Sequence, residues 1–264
     1  MIFFYRLKSY LHYLLSAKTK YYLHSPFVYE LAEEVIYDQR QYYAFNDLAH
    51  IRAALLNSNT ELQTTDWGAG SNGQQVSHKK RLVRQLAHQV AVSPQIGKLL
   101  FRLVNRYQPQ QILELGTSIG IGTLYMAMAC KKARITTIEG CPETANFASQ
   151  LFQKLQIQNV APKVGNFDDI LSNLLETIPQ VDIVFFDGNH QYEPTLRYFE
   201  LCLTKIHANT IFIFDDIHWS PDMERAWEII KQHPKVTITI DLYRVGLVFF
   251  RQGQAKENFT LYFF

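Results

Sequence analysis

From Gln111 onward, short β-rich runs alternate with helical ones, and this alternation constrains the fold more than any other feature of the chain. The runs QILEL (111–115), RITTIE (134–139), APKVGNF (161–167), VDIVFFD (181–187) and TIFIFDD (210–216) have strand character. Between them lie IGTLYMAMACKK, PETANFASQLFQKLQ, DILSNLLETI and EPTLRYFELCLTKI, which suit helices. Strand, helix, strand in alternation predicts a parallel sheet with helices on both faces. After the helix PDMERAWEIIKQH come two more strands, VTITIDLYR and GLVFF, with almost nothing between them. A short link through Val245-Gly246 can join only antiparallel neighbours. The expected architecture is therefore α/β, Rossmann-like and doubly wound. Its sheet has seven mostly parallel strands and ends in an antiparallel pair.

The first hundred residues read as helices. Ser25-Pro26 and Ser93-Pro94 each place a capping residue before a proline at the first helical position. The chain divides into an N-terminal helical extension, 1–91, and an α/β domain, 92–264. The extension begins with Arg6, Lys8, Lys18 and Lys20 and has no acid before Glu30. Phe4, Leu7, Leu11, Leu14 and Leu15 recur at helical spacing, which predicts a helix packed on the domain or on a second subunit rather than on a membrane surface. No apolar run is long enough to span a bilayer, and no small-residue cleavage site follows the first helix. The formal net charge of +2 gives no global pull toward nucleic acid. Cys130, Cys141 and Cys202 form no metal-ligand spacing, and their odd number argues against a disulfide framework. They read as buried thiols of a reducing, cytoplasmic setting.

Two glycine turns compete as a nucleotide cradle, TDWGAGS (65–71) and ILELGTSIGIG (112–122). A cradle needs a strand before it, a helix after it, and an acid at the tip of the next strand for ribose hydroxyls. TDWGAGS is preceded by the polar NSNTELQTT, and no acid occurs from Trp67 to Ile112. It reads as a capped loop between helices. ILELGTSIGIG has the strand QILEL before it, the helix GTLYMAMA after it, and Glu139 at the tip of the next strand. Its spacing, Gly116-x3-Gly120-x-Gly122, is not G-x-G-x-x-G.

These motifs resemble the class I S-adenosylmethionine-dependent methyltransferases, and more narrowly the metal-dependent O-methyltransferases related to catechol and caffeoyl-CoA O-methyltransferases. The resemblance covers roughly Val92 to Phe250, through VSPQIGKLL, LELGTSIGIGTL and the closing antiparallel strands. It implies that Glu114, Gly116, Thr117, Ser118 and Gly120 line the methionine end of S-adenosylmethionine and that Glu139 accepts the ribose hydroxyls. Asn166 and Phe167 depart from the family's Gly-Asp-Ala, so the adenine contact falls to Phe167 and Asp168; the other role open to Asp168 is to cap the helix that follows. Asp187, counted toward both the cofactor and the metal, joins Asp215 and Asp216 as the implied ligands of a divalent cation such as Mg²⁺. Asp216 stands where the family has Asn. Hard cations take such oxygen ligands, and a cation lowers the pKa of an acceptor hydroxyl and orients it. On this reading, chelation abolishes turnover and spares cofactor binding.

In DGNHQYEP, His190 holds the position of the family's lysine base, and a histidine takes a proton near neutral pH without a large shift; the other roles open to it are a loop residue or a metal ligand. His218, in DDIHWS, is a base, a ligand or a pocket wall, and Trp219 beside it stacks on a flat acceptor or serves the core. The basic run Lys79, Lys80, Arg81, Arg84, Lys98, Arg102 and Arg106 reads as a solvated face or as a site for a phosphate-bearing acceptor such as a CoA thioester or a tRNA. The expected partners are a small-molecule acceptor, ahead of nucleic acid, and a second copy in a homodimer. The competing functions are a nicotinamide-dependent oxidoreductase and a non-catalytic binding module on the same fold.

Overall fold

Strands form from Gln111 onward where the sequence predicts them. The computed structural model of the chain describes residues 2–66 and 77–263. In chain order its elements are α1 (Ile2–Ser16), α2 (Pro26–Leu31), α3 (Tyr43–Leu56), β1 (Glu61–Asp66), β2 (Ser77–Leu82), α4 (Val83–Gln89) and α5 (Pro94–Tyr107). The α/β part follows with β3 (Gln111–Leu115), α6 (Ile121–Ala129), β4 (Arg134–Glu139), α7 (Pro142–Lys154), β5 (Val160–Val164), α8 (Phe167–Thr177), β6 (Ile183–Phe186) and α9 (Tyr192–Cys202). It closes with β7 (Ile211–Asp215), α10 (Pro221–Gln232), β8 (Ile238–Asp241), β9 (Val245–Phe249) and β10 (Glu257–Thr260).

The chain forms two compact units, Asp38–Ile170 in one and the flanking segments, up to Tyr37 and from Leu171, in the other. The sheet has eight strands, mostly parallel, rather than the expected seven. In the first unit β3, β4 and β5 are parallel neighbours, with Ile112 opposite Ile135 and Glu139 opposite Val164. In the second the order is β10-β8-β9-β7-β6. There β6 and β7 are parallel, and β9 is antiparallel to both β7 and β8. The eighth strand, β10, pairs in parallel with β8. Its four residues, ENFT, are mostly polar and half-exposed, so no run of β-branched or aromatic residues announces it.

Strands β3, β6, β7 and β9 are almost wholly buried, as the sequence's continuous apolar runs require. Around β6 and β7 the core is aromatic: Phe186 stacks on Phe214, and Phe212 meets Phe199 and Phe250 edge-on. The expected link Val245-Gly246 lies inside β9, and the turn falls on Leu242–Arg244, with Tyr243 left-handed at φ 68°. Gly246 is required for packing, because a Cβ there would stand 2.6 Å from the Trp227 ring.

Helix α1 packs on its own unit, one of the two placements expected. Tyr13 Oη donates to the Leu261 carbonyl at 2.6 Å, the Tyr5 hydroxyl donates to the Glu224 carboxylate, and the rings of Tyr10 and Tyr13 lie against Tyr243. Leu7, Leu11 and Leu15 on its other face stay exposed. Ser25 does not cap α2; its Oγ instead accepts from Gln254 Nε2 at 3.3 Å. Ser93 does cap α5, accepting from Ile96 N–H.

The reading of the first hundred residues as helices misses β1 and β2, which pair antiparallel from Glu61 opposite Leu82 to Asp66 opposite Ser77. ELQTTD and SHKKRL are polar on both faces, so the alternation that marks a half-buried strand is missing. Trp67–Ser71 of TDWGAGS lie outside the described residues, but strands, not helices, flank that segment.

Candidate functional site

In the unit Asp38–Ile170, the backbone turns sharply between β3 and α6. Gly116 has φ 112°, Ser118 φ 49° and Gly120 φ 86°. The Gly116 and Thr117 N–H groups both donate to the Ile138 carbonyl, at 3.0 and 3.2 Å, which fixes the turn to β4. Thr117 Oγ1 shares a 2.5 Å hydrogen bond with Thr137 Oγ1. Gly120 packs against α7: a Cβ there would lie 2.7 Å from Phe152 Cε1. No side chain caps the N-terminus of α6, so its first N–H groups are not taken up by a capping residue. Such a turn offers backbone donors to an anionic ligand group.

Glu139 ends β4, half-buried. Its Oε2 accepts from Ser118 N–H at 2.8 Å and its Oε1 from Cys141 N–H at 2.9 Å. One carboxylate thus joins the glycine turn to the start of α7, and it keeps lone pairs for further donors. Burial raises its pKa, and the backbone donors pull it partly back.

Glu114 lies beneath the turn, 1% exposed, and its Oε2 accepts from Thr123 Oγ1 at 2.5 Å and Thr137 Oγ1 at 2.6 Å. Burial pushes its pKa up to about 7, against the two hydroxyl donors that lower it. Between about 4.5 and 7 the fold keeps a proton that the unfolded chain has released, so this group makes stability fall as pH rises through that window. Glu114→Gln keeps an acceptor oxygen and removes the titration. We expect its melting temperature to decline between pH 5 and pH 8 by roughly 5 °C less than that of the wild type. Equal declines in a thermal-shift series would contradict the raised pKa.

Phe167 is buried at the first turn of α8, and Asp168 is exposed beside it. The capping role open to Asp168 belongs to Asn166, whose Oδ1 accepts from Asp168 N–H at 3.2 Å. All three cysteines are buried and free. The basic run is better compensated than the sequence suggested. Lys80 pairs with Glu61 at 2.8 Å and Arg102 with Asp38 at 3.6 Å, acids distant in sequence.

The other unit carries the second group of residues. Asp187 follows β6, and His190 Nε2 lies 3.8 Å from Asp187 Oδ1. The loop between them is set by Asn189, which is left-handed at φ 53° and donates from Nδ2 to Tyr198 Oη at 3.1 Å. Burial lowers the His190 pKa, so the ring is neutral at pH 7. Asp215 ends β7 at 3% exposure, and its Oδ1 is buried without a hydrogen-bond partner. Burial, then the neighbouring Asp216 charge, pushes the Asp215 pKa up to about 7. Asp216 is left-handed at φ 55°.

Arg244 escaped the sequence reading. Its Nε donates to Asp216 Oδ1 at 3.2 Å, its Nη2 lies 3.0 Å from the same oxygen, and Nη2 stands 3.6 Å from Asp215 Oδ2. The register that sets Val245 opposite Asp215 brings it there. The one sequence signal was its place in the turn between the two closing strands. His218 has partners of its own. Its Nε2 bonds Asp241 Oδ2 at 2.8 Å, its Nδ1 faces Glu224 Oε1 at 3.7 Å, and Tyr243 stacks on its ring. Trp219 is half-exposed, with the Arg6 guanidinium 3.3 Å above its ring centre. Among the described residues, no group of three or more His, Cys, Asp or Glu is arranged to hold a metal ion, and no helix is long and apolar enough to cross a membrane.

Comparison with known proteins agrees with this geometry. Residues 113–217 match the family model described as a methyltransferase domain. A catechol O-methyltransferase of Niastella koreensis is 32% identical over 131 residues, covering 48% of this chain and 58% of the relative. One of Mycobacterium tuberculosis is 28% identical over 134 residues, covering 48% and 57%. The chain thus spans less than two thirds of the length of either relative. Among solved structures, a Bacillus cereus O-methyltransferase in complex with S-adenosylhomocysteine superposes with a TM-score of 0.56 at 19% identity, covering 83% of this chain and 94% of that one. A Streptomyces achromogenes O-methyltransferase in complex with S-adenosylmethionine gives 0.56 at 21% identity, covering 85% and 95%. The Rossmann-like fold expected from the sequence is borne out, and residues 113–217 carry the similarity to a methyltransferase domain that the motifs there implied.

Proposed function

We propose that this chain, which carries a methyltransferase domain of the class I, S-adenosylmethionine-dependent type, methylates a hydroxyl of a small-molecule acceptor. The observation that carries the reading is the Glu139 carboxylate, bonded at the tip of β4 to the glycine turn itself. Gly116, Thr117, Ser118 and Gly120 form the bed for the methionine end of the cofactor, above Glu114. Glu139 accepts the ribose hydroxyls, and Phe167 and Asp168 meet the adenine. S-adenosylmethionine supplies the methyl group as a sulfonium.

His190 is the base. It is neutral at pH 7, and the loop after β6, held by Asn189 on Tyr198, positions it. It takes the acceptor's proton as the O–CH₃ bond forms and the S–CH₃ bond breaks, the electron pair staying on sulfur. His218 is engaged by Asp241 and Tyr243 and serves as a wall rather than as a second base.

The resemblance implies a divalent cation on Asp187, Asp215 and Asp216. The donor set does not fit one as it stands. Asp216 is ion-paired with Arg244, and the same guanidinium faces one Asp215 oxygen. No step here runs through a metal. The division into a helical extension (1–91) and a catalytic domain (92–264), a homodimer and a cytoplasmic setting belong to the same proposal. The exposed Leu7, Leu11 and Leu15 of α1 support the homodimer.

Calorimetric titration of S-adenosylhomocysteine tests the cradle. The wild type is expected to bind in the micromolar range. Glu139→Ala, losing charge-assisted hydrogen bonds of about 1.5–3 kcal/mol, should bind about tenfold more weakly or worse. NAD binding without S-adenosylhomocysteine binding would replace this reading with an oxidoreductase.

A further inference from the structure

We infer that the Arg244 guanidinium takes the place of the divalent cation in this site, so that the carboxylates Asp215 and Asp216 carry a built-in counter-charge and bind no metal. The inference rests on the methyltransferase reading for its meaning, but its geometry stands independently.

A hard divalent cation takes several converging oxygens and is strongly repelled by a fixed positive charge among them. Here the guanidinium approaches Asp216 through two nitrogens, at 3.2 and 3.0 Å, and Asp215 through one at 3.6 Å. Arg244 is also tied by its backbone, since Ile217 N–H donates to the Arg244 carbonyl at 3.2 Å. Main chain and side chain therefore both lock the turn after β7 to the turn after β8. The left-handed backbone of Asp216 is consistent with that hold. The planar fork of an arginine suits carboxylates better than a lysine would.

One oxygen remains open. Asp215 Oδ1 is buried and takes no donor among the described residues, with the Asp187 carboxylate beside Asp215. With the guanidinium already set against these carboxylates a cation is disfavoured, whereas the remaining oxygen is an adequate acceptor for a substrate hydroxyl. Arg244 is thus a positioning residue: it faces one Asp215 oxygen and leaves the other for an acceptor hydroxyl.

The test reads Mn²⁺ alone. Free Mn²⁺ gives an electron paramagnetic resonance signal that is lost on binding, so no acceptor need be known. The wild-type chain should leave the signal unchanged up to about millimolar Mn²⁺, far weaker than a dedicated carboxylate site. Arg244→Ala and the longer neutral Arg244→Gln should bind Mn²⁺ at least tenfold more tightly than wild type, and adding Asp215→Asn should remove the gain. Arg244→Lys, keeping the charge, should stay silent. A merely structural arginine would not yield a new metal site when removed. Stoichiometric Mn²⁺ binding by the wild type, or no gain in both neutral variants, overturns the inference. Titration of S-adenosylhomocysteine into the same samples separates this from the parent reading. Loss of cofactor binding in the wild type would sink the methyltransferase and leave the metal result to be read by itself.

Discussion

Gly120→Val is expected to lower the melting temperature by about 10 °C and to abolish binding of S-adenosylhomocysteine. Two costs combine. Gly120 sits at φ 86°, a region that costs an L-residue roughly 1–2 kcal/mol and a β-branched one more. A Cβ there would also press on Phe152 at 2.7 and 2.8 Å. Overpacking of that kind costs about 1–3 kcal/mol. For a chain of this size each kcal/mol moves the midpoint by about 2–4 °C. Gly253→Ala is the control, because Gly253 also has positive φ, at 70°, but its Cβ would meet nothing within 4 Å. Differential scanning calorimetry should show a much smaller loss there, with cofactor binding retained. Equal losses in the two variants would mean that the close approach to α7 is not what holds the turn.

His190→Asn is expected to lower kcat by about 10²–10⁴, the usual contribution of a positioned base, on any hydroxyl acceptor found in a screen. Binding of S-adenosylhomocysteine should stay within about twofold of the wild type, because His190 is not part of the cradle. The wild-type rate should also fall at acid pH. Burial holds the imidazole below its usual pKa, so the fall should come below pH 6.5, and the variant should lack it. His218→Asn is the useful contrast. Its ring is bonded to Asp241 and stacked on Tyr243, so its loss should appear first in stability. A larger loss of kcat in the His218 variant than in the His190 variant would reverse the assignment.

Much of the fold was legible because its strands are buried on both faces. QILEL and RITTIE fall on β3 and β4 residue for residue, and IFIFD on β7. Such runs have few other ways to bury their side chains. The β1–β2 pair and β10 were not legible, since their residues are mostly polar and carry no hydrophobic alternation or apolar run. The glycine turn was legible as well, through its strand, its helix and the acid on the next strand. What holds that acid was not: no spacing rule says that Glu139 will accept from Ser118 and Cys141.

The sequence by itself determined the alternating α/β architecture, the closing antiparallel pair, and the place of the glycine turn between β3 and α6. These follow from local periodicity and from backbone needs that glycine alone meets cheaply. Only the tertiary structure decided the electrostatics of the carboxylates. Asp187, Asp215 and Asp216 read from the sequence as three acids waiting for a cation. The pairing of β9 with β7 carries the Arg244 guanidinium to Asp215 and Asp216 and sets a positive charge beside them. A charge acts through space, and the spatial neighbours of Asp216 include a residue 28 positions away.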